Sequence, residues 1–353
     1  MIGAVVPVCN RRDNLALLLA SLEIQTVDDF TVIVADDGST DGTRALVEDL
    51  ARSAAWRQRL RWIGCGPDLG VRTGRARNIG AANVPDGVDL LIMLDSDLVL
   101  RPEAMSLFHA AHREQPDTVL FGAVEWLPPL QRALVHDAVL NHELPSLRAQ
   151  VPAATPVRVE GTFTGPELRS TLFEQPADRP VPMDPGWALP LNSGWPPATY
   201  WRAGGFDETM QGYGYQDMEF GARAAQAGAM CVPRPELWAL HVWHPKPPRA
   251  MRENQWNLDF YLRRHGDFLR QHTSDDDLEV DVDWRLWWHY HAERGGTVVD
   301  VDGQLWAISR DRRHRIALPE RRWFHHLGHP LDSVAPMPAA QVGELTDHGV
   351  ACQ

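Results

Sequence analysis

The chain has 353 residues, enough for two or three domains and a large buried core. With 44% hydrophobic and 23% charged residues it has the composition of an ordinary globular protein, and its formal net charge of −13 argues against general nucleic-acid binding, which needs a basic footprint. No apolar run reaches membrane-span length and no signal-peptide pattern is present; the four scattered cysteines (Cys9, Cys65, Cys231, Cys352) form no CxxC pair or zinc spacing, so a cytoplasmic protein is expected.

Residues 2–8 are predicted as a buried strand. A polar break follows, in which Asn10 or Asp13 could cap a helix over 14–25, whose leucines at 15, 18, 19 and 22 keep the amphipathic spacing. A second strand over 30–35 runs into Asp36-Asp37-Gly38-Ser39. Asp41 or Thr43 could cap the next helix, over 45–56. A short strand at 60–63, a Gly-rich loop at 64–74, a helix over 75–82 and a strand at 90–94 complete the pattern. Such alternation means a doubly wound, mostly parallel α/β sheet, which binds ligands beyond the carboxyl ends of its strands.

Three polar clusters fall at those ends: Asp36-Asp37, the loop over 72–78, and Asp95-Ser96-Asp97. Each alone reads more readily as a turn or a solvated helix face. Two carboxylates one residue apart can also hold a hard divalent cation that bridges nucleotide phosphates. The segments VVPVCNR, VIVADDGSTDGT, GRARNIG and MLDSDLVL, in this order and spacing, resemble the family 2 glycosyltransferases of the GT-A (Rossmann-like) fold over roughly the first 110 residues.

The resemblance implies that Pro7 and Val8 line a base pocket and that Asp37 accepts the N3–H of uracil. Arg77 would face the nucleotide diphosphate, with Asp95 and Ser96 completing the nucleotide-sugar set. Asp97 would ligate Mn2+ or Mg2+. Position 9 is Cys where the family usually has an aromatic residue, so stacking on the base is lost there.

A helix over 101–114 and a strand over 118–126 are expected next. Residues 127–190 are rich in proline and read as a flexible loop, either a plain cover or an acceptor-side flap. Downstream, GGFDE and GYGYQDMEFGAR precede a helix, where Asp217 and Glu219 could simply meet its positive end. These segments also resemble the acceptor side of galactosyltransferase-like and chondroitin-polymerase-like enzymes. That likeness implies Asp217 as the catalytic base of an inverting reaction, with Gln216 replacing the usual Glu.

In Leu240–Pro247, His241 and His244 would point to opposite faces if both lay in a strand, leaving one as a metal ligand. The resemblance implies His241. After residue 250, a helical stretch at 249–271, an aromatic helix at 284–291, a hairpin at 297–309 turning at Asp302-Gly303, a basic stretch at 310–329 and a tail are expected.

The expected organisation is a nucleotide-sugar-binding half at 1–126, an acceptor-binding half at 127–250 and a small C-terminal extension at 251–353. The expected function is that of an inverting, metal-dependent hexosyl- or N-acetylhexosaminyltransferase. It would move a sugar from a nucleotide-diphospho-sugar, a UDP-sugar first, to a carbohydrate, natural-product or peptide hydroxyl. A non-catalytic nucleotide-sugar-binding protein and a metallohydrolase are the alternatives.

Overall fold

The computed structural model describes residues 1–244 apart from 57, 68–71, 152–156, 160–161 and 165–169, and, after 244, residues 253, 257, 260–261, 264–265, 268, 282–283, 297–302, 304–308, 314–318, 335–336, 339–343 and 345–352. The chain divides into two compact units, residues 1–253 and 254–353. Among the described residues, no helix is long and apolar enough to cross a membrane.

The first unit is built on a nine-stranded sheet. Strands β1 (Ile2–Val8), β2 (Phe30–Asp36), β3 (Leu60–Gly64) and β4 (Leu90–Leu94) run parallel in the order β3-β2-β1-β4. Every residue of β1, β2 and β4 is buried, which is why these segments read as continuous apolar runs rather than alternating ones. Helices α1 (Arg12–Glu23), α2 (Thr43–Ala51) and α3 (Thr73–Ala82) make the crossovers. Register sets Val8 beside Asp36 and Asp36 beside Gly64, so the loops after these strands start level with one another.

The α1 cap differs from expectation. Neither Asn10 nor Asp13 caps it; Asp41, from the loop before α2, accepts the Arg12 N–H at 2.9 Å. Asn10 instead adopts a left-handed φ of 51° and accepts the Thr40 N–H at 2.9 Å. Helix α2 ends at Ala51, well before the expected residue 56.

Beyond β4 come β5 (Leu98–Leu100), α4 (Ala104–Glu114), β6 (Val119–Trp126), α5 (Arg132–Leu140) and α6 (Leu144–Arg148). The stretch expected as one long loop therefore contains helices. Val135, Val139, Leu144 and Leu147 join Leu17, Val99, Trp238 and Leu240 in one apolar cluster, giving α5 and α6 a buried face. A small hairpin, β7 (Val157–Val159) and β8 (Thr162–Thr164), the helix α7 (Ser170–Phe173) and the two-residue strand β9 (Val181–Pro182) lead to β10 (Asn192–Trp195).

Strand β10 runs antiparallel between β4 and β6. A Cβ on Gly194 would already stand 3.2–3.3 Å from Leu90 and Phe108, so glycine lets α4 pack close there. Helices α8 (Pro197–Arg202) and α9 (Gln216–Gln226) precede β11 (Met230–His241). The first part of β11 pairs with β6 in parallel; after a register shift between Arg234 and Ala239, its last three residues pair with Val124–Trp126 on one side and with β5 on the other.

Within residues 254–353, β12 (Val282–Asp283), β13 (Thr297–Val301), β14 (Gln304–Ile308), β15 (His314–Leu318), β16 (Ala335–Pro336) and β17 (Thr346–Cys352) form a second sheet, joined by α10 (Ala339–Gly343). The expected hairpin is β13–β14, with Val301 opposite Gln304 and Asp302 at a left-handed φ of 52°. The helix expected over 284–291 lies outside the described residues, as do most of 249–271 and of 310–329.

Candidate active site

Asp95, Ser96 and Asp97 make the tight link between β4 and β5. Because Leu98 of β5 pairs with His241 of β11, the residue before Leu98 is delivered beside the end of β11. The Val242 N–H donates to the Asp97 carbonyl at 2.7 Å, and the chain leaves the strand at that point. Strand alternation therefore stops at His241, and the ring of His244 returns to the same side. The expectation that only one of the two histidines faces Asp97 is not met.

His241 Nε2 lies 3.3 Å from Asp97 Oδ1, and His244 Nε2 lies 2.8 Å from Asp97 Oδ2. Among the described residues these three side chains form the group able to converge on a cation, their ligand atoms lying within 4.8 Å of one another. Burial alone would raise the Asp97 carboxyl, but the charges of His241, His244 and Arg11 and the hydrogen bond from His244 hold it well below the usual carboxylate range. Asp97 Oδ1 is buried and accepts no hydrogen bond. An ionised, buried oxygen with unused acceptor capacity beside an imidazole nitrogen fits a divalent cation with oxygen and nitrogen ligands.

Arg77, on α3, joins this acidic tip to the start of α9. Its guanidinium donates to Asp95 Oδ1 and to Asp217 Oδ1, each at 2.7 Å, and its side chain is only 3% exposed. Burial alone would lower the Arg77 guanidinium, but the charges of Asp217 and Asp95 more than offset this and hold it above its usual range. Asp95 and Asp217 still reach solvent, so two partly exposed carboxylates share one buried cation.

Next to it, Asn78 uses its whole carboxamide. Oδ1 accepts from the Phe206 N–H and the Tyr200 hydroxyl, both at 2.8 Å; Nδ2 donates to the Phe206 carbonyl at 2.9 Å and to Glu208 at 3.0 Å. Gly205, at a φ of 64°, comes so close that a Cβ there would stand 2.6 Å from Asn78 Oδ1. Burial pushes the Tyr200 hydroxyl up, so it remains a donor. The loop into α9 is held by Gln216, whose Nε2 donates to the Gly212 carbonyl, and by Tyr215 at a left-handed φ of 58°. Glu219 is fully buried and bound twice by Arg223, at 2.7 and 2.9 Å; it is a structural ion pair.

Pro7 and Val8 are buried at the end of β1, and the Val8 carbonyl accepts the Asp37 N–H at 2.8 Å. Asp37 is itself buried and bound by Arg72, which gives it a backbone N–H at 3.2 Å, Nε at 3.3 Å and Nη2. Ser96 is buried in the turn between the two aspartates. Cys9 is half-buried just past β1. The sequence marks Arg72 and Asn78 only as part of the polar loop around Arg77, and Arg11 not at all.

A glycosyl transferase family 2 profile matches residues 4–129. A validoxylamine A glucosyltransferase of Streptomyces hygroscopicus subsp. jinggangensis is 32% identical over 281 residues, a match that takes in 76% of this chain and 62% of that relative's length. Residues 1–349 of S. aureus TarS, in a crystal structure with UDP-GlcNAc, superpose with a TM-score of 0.50 at 16% identity, covering 82% of this chain and 78% of that one. The mannosyltransferase PcManGT of Pyrobaculum calidifontis, in complex with GDP-Man and Mn2+, gives a TM-score of 0.50 at 14% identity over 82% of this chain and 72% of that one. The order of strands and these likenesses agree: residues 4–129 match the glycosyl transferase family 2 profile, and the chain has a fold similar to that of solved transferases of the GT-A type.

Proposed function

We propose that the protein is an inverting, metal-dependent glycosyltransferase that uses a nucleotide-diphospho-sugar, with UDP as the favoured carrier. The observation that carries this reading is the Arg77 bridge. One buried guanidinium holds Asp217, on the acceptor side, in the same cluster as Asp95, on the donor side. In this reading Asp217 takes the proton of an acceptor hydroxyl as that oxygen attacks the anomeric carbon. The bond from that carbon to the diphosphate breaks on the opposite face, and the nucleoside diphosphate leaves with the bonding pair. Asp97 and His241 would hold a divalent cation, Mn2+ or Mg2+, which supplies positive charge against the departing diphosphate.

Pro7, Val8, Asp37, Arg77, Asp95 and Ser96 would line the nucleotide-sugar side, with Arg77 acting through the two carboxylates it carries. The Asp37 carboxylate beside the Arg72 guanidinium offers an acceptor next to donors. That pattern suits an imide edge, in which one N–H is flanked by carbonyl oxygens. The similarity to a validoxylamine A glucosyltransferase favours glucose as the sugar moved. The acceptor would be a carbohydrate, natural-product or peptide hydroxyl. Cys9, Cys65 and Cys231 are in no disulfide, which supports a cytoplasmic setting.

The test is a panel of nucleotide sugars with Mn2+, read by thermal shift and by transfer. A UDP-sugar should raise the melting midpoint and support turnover. Asp217→Asn should keep the thermal shift and lose about 10²–10⁴-fold in turnover. Full turnover in Asp217→Asn, or no stabilisation by any nucleotide sugar with metal present, would overturn the reading. Release of sugar to water as fast as transfer would point to a hydrolase instead.

A further inference from the structure

The two histidines beside Asp97 are chemically unequal, and the group that makes them so is Arg11. Its Nη2 lies 3.4 Å from His244 Nδ1. A guanidinium has only donors and stays protonated, so His244 Nδ1 must be the acceptor in this contact. The proton of a neutral His244 ring then sits on Nε2, the atom 2.8 Å from Asp97 Oδ2. That N–H donates to the carboxylate and has no lone pair to offer a cation. To ligate through Nε2, His244 would have to carry its proton on Nδ1, where it would face the Arg11 N–H head on.

His241 stands differently. Its Nε2 is 3.3 Å from Asp97 Oδ1, yet no hydrogen bond joins the two, and Oδ1 is the carboxylate oxygen that accepts none. These two atoms are spaced like neighbouring ligands of one ion. Bonds of about 2.1 Å in an octahedral shell put adjacent ligands about 3 Å apart. The Trp126 ring, 5.5 Å from the His241 ring between centroids, keeps that imidazole in place.

We propose that His244 is a positioning residue and not a metal ligand: Arg11 fixes its tautomer, His244 donates to Asp97 Oδ2, and this aims Oδ1 and the His241 nitrogen at one divalent cation. The inference rests on the metal-dependent reading of the site. Relays of this kind behind a ligand typically cost 10–100-fold in metal affinity when removed, without removing a ligand.

The test is electron spin-echo spectroscopy of the full chain loaded with Mn2+ alone, together with Mn2+ affinity by calorimetry. The wild type should show the coupling of one imidazole nitrogen. His241→Gln should abolish that coupling. His244→Gln should keep it, with Mn2+ affinity lower by about 10–100-fold, and His244→Ala, which lacks any donor, should lose more than His244→Gln. Arg11→Met frees the tautomer and should add a second nitrogen coupling. Two couplings in the wild type, a coupling that survives His241→Gln but not His244→Gln, or a spectrum unchanged by Arg11→Met would overturn the proposal. Failure of the glycosyltransferase reading is separate: a single-nitrogen site with no transfer from any nucleotide sugar leaves the assignment intact and removes the activity.

Discussion

Two acidic tips of the same sheet, Asp36-Asp37 after β2 and Asp95-Asp97 after β4, look alike in sequence and are opposite in chemistry. At the first, every carboxylate oxygen accepts at least one hydrogen bond. Asp36 accepts from the Ser39 N–H at 2.8 Å and from Trp62 Nε1 at 2.9 Å, and both oxygens of Asp37 are bound by Arg72. At the second, Asp97 keeps a buried oxygen that accepts nothing, and Asp95 shares one arginine with Asp217 while still reaching solvent. Paired acidic residues therefore say little by themselves about where a cation goes. What separates a tip paired within the protein from one able to take a cation is a carboxylate oxygen that accepts no hydrogen bond.

The comparison can be broken most forcefully at Arg72. Arg72→Met would leave the Asp37 carboxylate buried and unpaired, and urea unfolding should show a loss of about 3–5 kcal/mol. A stability close to wild type would mean that the first tip is not closed after all. At the second tip, Asp97→Asn should abolish Mn2+ binding in calorimetry and slow transfer by about 10²–10³-fold, the range seen when a charge-stabilising group is removed. Its unfolding midpoint without metal should change far less than that of Arg72→Met.

The smallest expected effect tests whether a further carboxylate is tolerated near the site. Gln216→Glu would turn an acceptor towards the Gly212 carbonyl, where the wild type donates. A loss of about 1–3 kcal/mol in unfolding free energy is expected, with Mn2+ affinity unchanged. A fall in Mn2+ affinity in that variant would tie the glycine loop to the acidic tip.

Much of the parallel half was legible because its signals are local. The apolar runs of β1, β2 and β4 and the leucine spacing of α1 need no partner to be recognised. Strand β10 was missed because Asn192, Ser193 and Gly194 carry no β-branched pattern; they are strand only because β4 and β6 flank them. Helices α5 and α6 were hidden by the prolines around them, although Val135, Ala138 and Val139 keep a helical spacing. The pairing of His244 with Asp97 was misjudged because a strand period was carried three residues past the last strand residue. Arg77 stood out in sequence, but its two partners lie 18 and 140 residues away, and no local pattern encodes such a bridge.

The short pairing of β5 with β11 has a consequence for how the protein comes into being. Three residue pairs, Leu98 with His241 at their end, set a side chain from position 97 beside one from position 241. A growing chain that has emerged only as far as α4 carries Asp97 but neither of the two imidazoles that stand beside it. The pocket comes into existence when the last strand of the sheet docks, so an ion captured there favours the docked form by mass action.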